Sequence, residues 1–412
     1  LVLVPPTAPL NPAPRGAVLH RWSGTSMGST WRLLLAAPPT AEAAHLPRAI
    51  EARLARLVAE LSHWEPDSVL SRFNRLPEGT WQVLTPDFAA VMRAGLALAE
   101  ASGGAFDPAL GDRISAWGFG PQGRFDQPGF APPATCEQGL RQAQPEREER
   151  PPSPLALSPD LGRVPPPPFA LSWSKDREGM PPSPFALSLS KGQEDAGLRQ
   201  AQPEREGVPR APFALSLSKG PSRTWRDLQL RGDHLLQPGG CALDFSAIAK
   251  GHAVDVVVAL LRQLGFAHFL FELGGELAGE GLKPDGQPWW VALERPPGAG
   301  ASLPPLRAAL VGMSMATSGD YRQGFTDHHG RWCSHTLDPR TGQPVRHALA
   351  SVSVLHERCM PADALATVLF VLGPDEGDAW ARAHGVAAWF VKRTQAGGWR
   401  EWPSPALAEW LD

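Results

Sequence analysis

Five side chains suit phosphate and metal chemistry: Lys250, Thr317, His335, Asp363 and Thr367. Lys250 stands in LDFSAIAKGHAVD, residues 243–255, among the small residues Ser246, Ala247, Ala249 and Gly251. A strand end meets a helix start there. Small residues let backbone approach a ligand closely, and a helix N-terminus favours a phosphate. Lys250 adds positive charge, and Asp244 can accept a hydrogen bond or bind the polar edge of a ring. The same residues also read as a capped helix, with Asp244 or Ser246 as N-cap and Lys250 on a solvated face. The phosphate-loop pattern GxxxxGK[ST] is absent.

Asp363 and Thr367 stand four apart in MPADALATVLFVLG, residues 360–373, with Asp363 in the first turn of a helix. That spacing puts both on one helix face. Carboxylate and hydroxyl oxygens side by side suit a hard cation such as Mg2+. They also read as a carboxylate on the helix dipole and a threonine bonded back within its helix. Thr317, Ser318 and Gly319, in MATSGDYRQGF (315–325), form a polar turn that suits phosphate. His335, in WCSHTLDPRTGQP (332–344), is the residue type that accepts protons near neutral pH. It also reads as a turn histidine bonded to backbone. In the N-terminal half, GTSMGSTW (Gly24 to Trp31) is a polar-glycine turn before a strand. HWEPDSVLSRFN (His63 to Asn74) and SGGAFDPALG (Ser102 to Gly111) are loop-like, and Trp64 or Phe106 offers a face for a flat heterocycle or for ordinary packing.

These residues need elements to hold them. Apolar spacing predicts helices over 46–61, 86–101, 247–264 and a final one over 361–372, stopped by Gly373. Strands are expected at 268–273, 288–293, 306–311, 350–355 and 387–391. Strict βαβ alternation is missing, which indicates an α+β fold of mixed sheets with packed helices. The chain has 412 residues and a net charge of -3, which excludes the basic surplus of a nucleic-acid binder. No apolar run reaches the roughly 18 residues of a spanning helix. Four cysteines lie far apart without a CxxC pair, against a thiolate zinc site. The start, LVLVPPTAPLNPAPRG, lacks the pattern of a signal peptide.

Of the 45 prolines, 20 fall in residues 121–221. GLRQAQPERE occurs at 139–148 and 197–206, and PFALS recurs at 168, 184 and 212. The spacing is irregular, unlike a solenoid. Residues 122–223 are expected to be a disordered, Pro-rich insertion, with a Pro-rich docking segment as the alternative. Residues 1–19 are expected to be disordered too, leaving 20–121 and 224–412 as two parts of one domain.

Taken in order, the segments resemble the ApbE family of FAD:protein FMN transferases. The resemblance runs through TSMGSTW, LSHWEPDSVLSRFN, SGGAFDPALG with WGFG, LDFSAIAKGHAVD, LGGE, MATSGDY, SHTLDPRTG and ADALATVLFVLG. It implies an ApbE-like, T-fold-related architecture and Mg2+-dependent transfer of FMN from FAD, as substrate, to a threonine hydroxyl of an acceptor flavoprotein. AMP leaves. Met27, Trp64, Ala105, Phe106, Asp107, Asp244 and Lys250 would line the FAD site. Asp363, Thr367 and the Ala247 carbonyl would bind Mg2+. Thr317 and His335 would lie near the pyrophosphate, with His335 as base and Lys250 stabilising phosphate charge. Trp64 stands where Tyr is common, His252 where an aromatic is usual, and Glu276 where Asp is more frequent. The competing readings are a Mg2+-dependent FAD pyrophosphatase and a non-catalytic flavin-binding protein. The resemblance implies acceptors such as subunits of ion-translocating redox complexes, and a periplasmic or membrane-associated setting through an N-terminal anchor. The visible sequence reads as cytoplasmic.

Overall fold

The computed structural model describes residues 1–5, 12–121, 124–127, 130–133, 223–299, 303 and 305–411. The expected insertion, apart from a few residues at its edges, lies outside the described residues, as does Cys136. The other three cysteines are buried free thiols.

Eight strands build one antiparallel sheet whose spatial order follows the chain. They are β1 (Val18–Ser26), β2 (Ser29–Ala37), β3 (Phe269–Leu273), β4 (Glu276–Glu280), β5 (Met313–Gly319), β6 (Leu349–His356), β7 (Ala387–Arg393) and β8 (Trp399–Pro403). Met27 (φ 49°) and Gly28 (φ 67°) alone join β1 to β2, with Ser26 opposite Ser29. Positive φ at both turn positions gives the twist a two-residue hairpin needs.

Alternation along the strands sorts the two faces. Trp31, Leu33, Leu35, Phe269 and Phe271 face a layer of helices. These are α1 (Leu46–Leu61), α2 (Pro86–Ala101), α3 (Ala249–Gln263) and α4 (Cys359–His384). In α1 the buried residues are Leu46, Ile50, Leu54, Leu57 and Leu61, the stripe that the sequence spacing predicts. Leu270, Leu277, Met315, Leu355 and Trp389 face the other way. They pack on a small sheet of Trp289–Ala292, Arg307–Leu310 and Val2–Leu3. The fold is α+β, as expected.

One expectation is corrected. The N-terminal segment is not disordered throughout: Val2 and Leu3 pair in parallel with Arg307 and Ala308. Leu3 is fully buried, and burying a leucine contributes about 1.5–3 kcal/mol, which holds a short strand. The helix expected over 361–372 begins two residues earlier, at Cys359, and its helical backbone is broken at Gly373 (φ 81°, ψ -172°), the stop that the sequence implies; a second helical segment follows directly to His384. Pro374 has no N–H for the Phe370 carbonyl four residues earlier. His347 Nε2 donates to that carbonyl instead, at 2.6 Å. Among the described residues no helix is long and apolar enough to cross a membrane.

The segment ahead of α3 is held from the side. Asn74 Nδ2 donates to the Leu243 carbonyl at 3.0 Å, and Leu243 N–H donates to Asn74 Oδ1 at 2.8 Å. Gln237 Nε2 donates to the carbonyls of Phe73 and Cys241. Amide side chains thus do the work of a neighbouring strand. Replacing Asn74 by Ala strands two backbone groups, at a cost of about 1–3 kcal/mol each where no water replaces the partner. The urea midpoint should fall accordingly with an unchanged slope.

Candidate functional site

The site forms where α3 meets α4. A Cβ on Gly251 would come within 2.5 Å of the Cys359 carbonyl oxygen and 2.6 Å of Asp363 Cβ, so the position requires glycine. The Gly251 N–H donates to Asp363 Oδ2 at 2.8 Å. The helix begins at Ala249, so this N–H is one of the first-turn donors without a partner inside the helix, and Asp363 supplies one. The helix N-cap is Ile248, without a side-chain cap, rather than Asp244 or Ser246. Asp244 folds back locally, accepting from Ser246 N–H and Oγ at 2.8 and 2.5 Å, and its Oδ2 lies 3.3 Å from His63 Nδ1.

Asp363 is in the second turn of α4, not the first, because the helix starts at Cys359. Asp255 of α3 serves the N-terminus instead, accepting from the N–H groups of Cys359 and Met360 at 2.6 and 3.2 Å. This leaves Asp363 free of capping. Thr367 Oγ1 lies 3.2 Å from Ser318 Oγ and donates to the Asp363 carbonyl at 3.4 Å. Lys250 Nζ meets Glu276 Oε1 at 2.5 Å. Burial opposes the Lys250 charge, but Glu276 and Asp363 outweigh it and raise its pKa. The Asp363 carboxyl is also pushed up, first by burial and then by Glu276, against Lys250 and the Gly251 N–H.

Two buried carboxylates thus share one ammonium. Glu276 is 3% and Asp363 6% exposed, and Glu276 Oε2 is buried without a hydrogen-bond partner. Such a surplus of negative charge suits a cation. The Asp363 carboxylate and the Thr367 hydroxyl are hard oxygen donors of the kind Mg2+ takes, with further shell positions left to water, phosphate or a backbone carbonyl such as that of Ala247. Among the described residues no cluster of three His, Cys, Asp or Glu suits a metal.

His335 is half-buried. Its Nδ1 lies 3.1 Å from the Gln323 carbonyl, which can only accept. The proton is therefore on Nδ1, and Nε2 keeps a free lone pair. Burial lowers the His335 pKa below its usual 6.5; Lys250 and Arg322 add to this against the Gln323 bond. The ring lies 6.3 Å from Phe119 in an edge contact.

The other residues singled out in the sequence divide into two groups. Met27 occupies the β1–β2 turn, which abuts the Gly274–Gly275 turn: a Cβ on Gly274 would meet Ser29 Oγ at 2.7 Å. Trp64 is 47% exposed, with the Arg124 guanidinium 5.8 Å above its ring. Ala105 and Phe106 are core residues packed among the helices. Asp107 holds the chain where it returns from the insertion, accepting from Ala109 N–H at 2.8 Å and Trp225 N–H at 3.0 Å. Thr317 points away from the centre. Its Oγ1 bonds Ser353 Oγ at 2.8 Å across the β5–β6 pair. Strand alternation turns Ser318 toward Thr367 instead. Sequence reasoning named Glu276 without giving it a role and passed over Arg322; the signal for Glu276 was an acid directly after two glycines, at a turn between strands.

A half-buried lysine, an acid and a hydroxyl on one helix and a half-buried histidine are side chains of the kind phosphoryl chemistry uses, here on an antiparallel α+β scaffold. Residues 27–148 and 198–390 match the model of the ApbE family. The chain belongs to the ApbE family. It is 30% identical over 384 residues to the FAD:protein FMN transferase of Haemophilus influenzae, spanning 91% of this chain and 87% of that one. It is 27% identical over 390 residues to the enzyme of the same name from Vibrio cholerae, spanning 94% and 92%. The crystal structure of the apo form of Pseudomonas stutzeri flavinyl transferase ApbE superposes with a TM-score of 0.68 at 30% identity, covering 96% of this chain and 97% of that one.

Replacing Gly251 by Ala should force α3 and α4 apart and lower stability by about 1–3 kcal/mol, the usual cost of overpacking. A melting curve checks this, and Cys359 should become more reactive toward a thiol reagent in the same variant.

Proposed function

We propose that this protein transfers FMN from FAD to a threonine hydroxyl of an acceptor flavoprotein and releases AMP. The observation that carries the reading is the meeting of α3 and α4, which sets Lys250, Asp363 and Thr367 together through the Gly251–Asp363 hydrogen bond. The relatives' names supply the substrate.

In this reading the acceptor threonine Oγ forms a bond to the FMN phosphorus. The bond from that phosphorus to the bridging oxygen breaks, and AMP departs with that oxygen and its electron pair. The threonine proton passes to His335 Nε2, which is unprotonated because Nδ1 is committed to Gln323. Lys250, kept charged by Glu276, stabilises negative charge on the phosphate oxygens. Asp363, Thr367 and the Ala247 carbonyl would hold Mg2+, which when bound acts as a Lewis acid on those oxygens. Trp64, exposed on one side, offers a stacking face for a flavin or adenine ring. Met27 closes the site at the hairpin tip, and Asp244 offers a polar edge. Ala105, Phe106 and Asp107 act from behind, by fixing the loop next to Asp244: the Asp244 N–H donates to the Pro108 carbonyl at 2.9 Å. Thr317 supports Ser353 and through it the β5–β6 pair, rather than touching phosphate.

The test is in-gel flavin fluorescence with FAD, Mg2+ and an acceptor domain carrying the target threonine. A fluorescent acceptor band that disappears with EDTA is expected. Free FMN and AMP without a labelled acceptor would instead make the protein a pyrophosphatase. Asp363→Asn should lose Mg2+-dependent transfer while its amide oxygen keeps the Gly251 hydrogen bond and with it the melting temperature; normal transfer by that variant at low Mg2+ would remove the metal assignment.

His335→Ala should slow transfer by about 10²–10⁴-fold, the usual contribution of a general base. In the wild type, the depressed His335 pKa keeps the base form through neutral pH. Activity should therefore hold as pH falls to 6.5 and decline only below it. This acidic limb should be missing from the residual activity of the His335 variant.

A further inference from the structure

Arg322 lies beside this centre with hydrogen-bond donors unspent. Its Nε donates to Glu294 Oε1 at 2.8 Å, its Nη2 pairs with Glu294 Oε2, and its Nη1 reaches the Gly274 carbonyl at 3.4 Å. A guanidinium carries five N–H donors. Two of them, one on each Nη, have no partner among the described residues.

The group lies against the Gly274–Gly275 turn. A Cβ on Gly275 would come within 3.1 Å of Nη1 and 3.4 Å of Nη2, and Gly275 has φ 112°. Both the backbone angle and the space reserve that position for glycine. The side chain is 33% exposed, so the guanidinium is partly desolvated but still open to a ligand. Its charge reaches Lys250 and His335, and Glu276 lies close enough to favour it in turn. Glu294 holds the Nε edge, with Tyr321 Oη donating to the same carboxylate at 3.0 Å. One edge of the fork is fixed, and the Nη donors are left for something else.

We propose that Arg322 binds the diphosphate of FAD through its free Nη donors, as a second cation beside Lys250. This rests on the FMN-transfer reading above. The planar fork matches two phosphate oxygens at once, which an ammonium cannot do. Arg322 exchanges no proton. It stabilises the charge that accumulates on the phosphate oxygens while the bridging P–O bond breaks and AMP leaves. The glycine pair after β3 keeps the approach clear.

The experiment titrates FAD into the full-length wild type, Arg322→Ala and Arg322→Lys at several salt concentrations, following flavin fluorescence, with melting curves alongside. The Ala variant should bind FAD about tenfold more weakly or worse, as expected for a lost charge-assisted pair. Its affinity should also depend less on salt than that of the wild type, because one ionic contact is gone. The Lys variant should keep the salt dependence and fall between the two in affinity. Equal FAD affinity in wild type and Ala variant overturns the proposal and leaves FMN transfer standing. So does a Lys variant as weak as Ala with an equally lowered melting temperature, which marks a purely structural role. A wild type that neither binds FAD nor labels an acceptor removes the transfer reading itself.

Discussion

One hydrogen bond organises the centre: the Gly251 N–H given to Asp363 Oδ2 at 2.8 Å. It needs two helices in near contact, and that contact needs a residue without a Cβ at 251. Gly251 stands in the first turn of α3, where its N–H has no partner inside the helix. A helix start usually solves its unpaired groups with a local cap. Here α3 and α4 solve part of the problem for each other. Asp255 of α3 caps α4, and Asp363 of α4 takes an N–H of α3. The two helix starts are thereby bound into a single unit, with Lys250 and Thr367 carried on it.

Around that unit the charges alternate. Lys250 faces Glu276, Glu276 lies in the field of Arg322, and Arg322 is tied to Glu294. Every cation has an acid beside it before any phosphate arrives. Such pairing keeps flexible side chains in place and spares a ligand part of the entropy of ordering them. The acids sit behind or to the side, so the cations are held without being fully covered: Lys250 and Arg322 keep 30% and 33% of their side-chain surface exposed.

Much of this was legible in the sequence. The α1 stripe, the turn at Met27 and Gly28 ahead of a strand, and the bond from the Thr367 hydroxyl back to the Asp363 carbonyl follow from spacing, which is local information. What failed was non-local. Nothing in LVLV shows that Leu3 finds a core beside Arg307–Leu310. The helix start of α4 was misplaced because its cap, Asp255, is more than a hundred residues away. Thr317 and Ser318 are indistinguishable by type, and only the sheet's alternation decides which faces Thr367. Gly-Pro reads as a stop and the helical backbone does break there, but the partner of the freed Phe370 carbonyl, His347, comes from another element.

That break at Gly373 has a mechanical meaning. A continuous helix transmits bending and twisting along its length through its hydrogen-bond ladder. In α4 the ladder is cut at Pro374, and the loose carbonyl of Phe370 is taken up by His347, next to β6. The first half of the helix, which carries Asp363 and Thr367, is thereby moored to the loop ahead of β6 rather than to its own second half. Strain, fraying or substitution between 374 and 384 is absorbed at the joint. Asp363 and Thr367 are thereby separated from disturbances at the far end of α4.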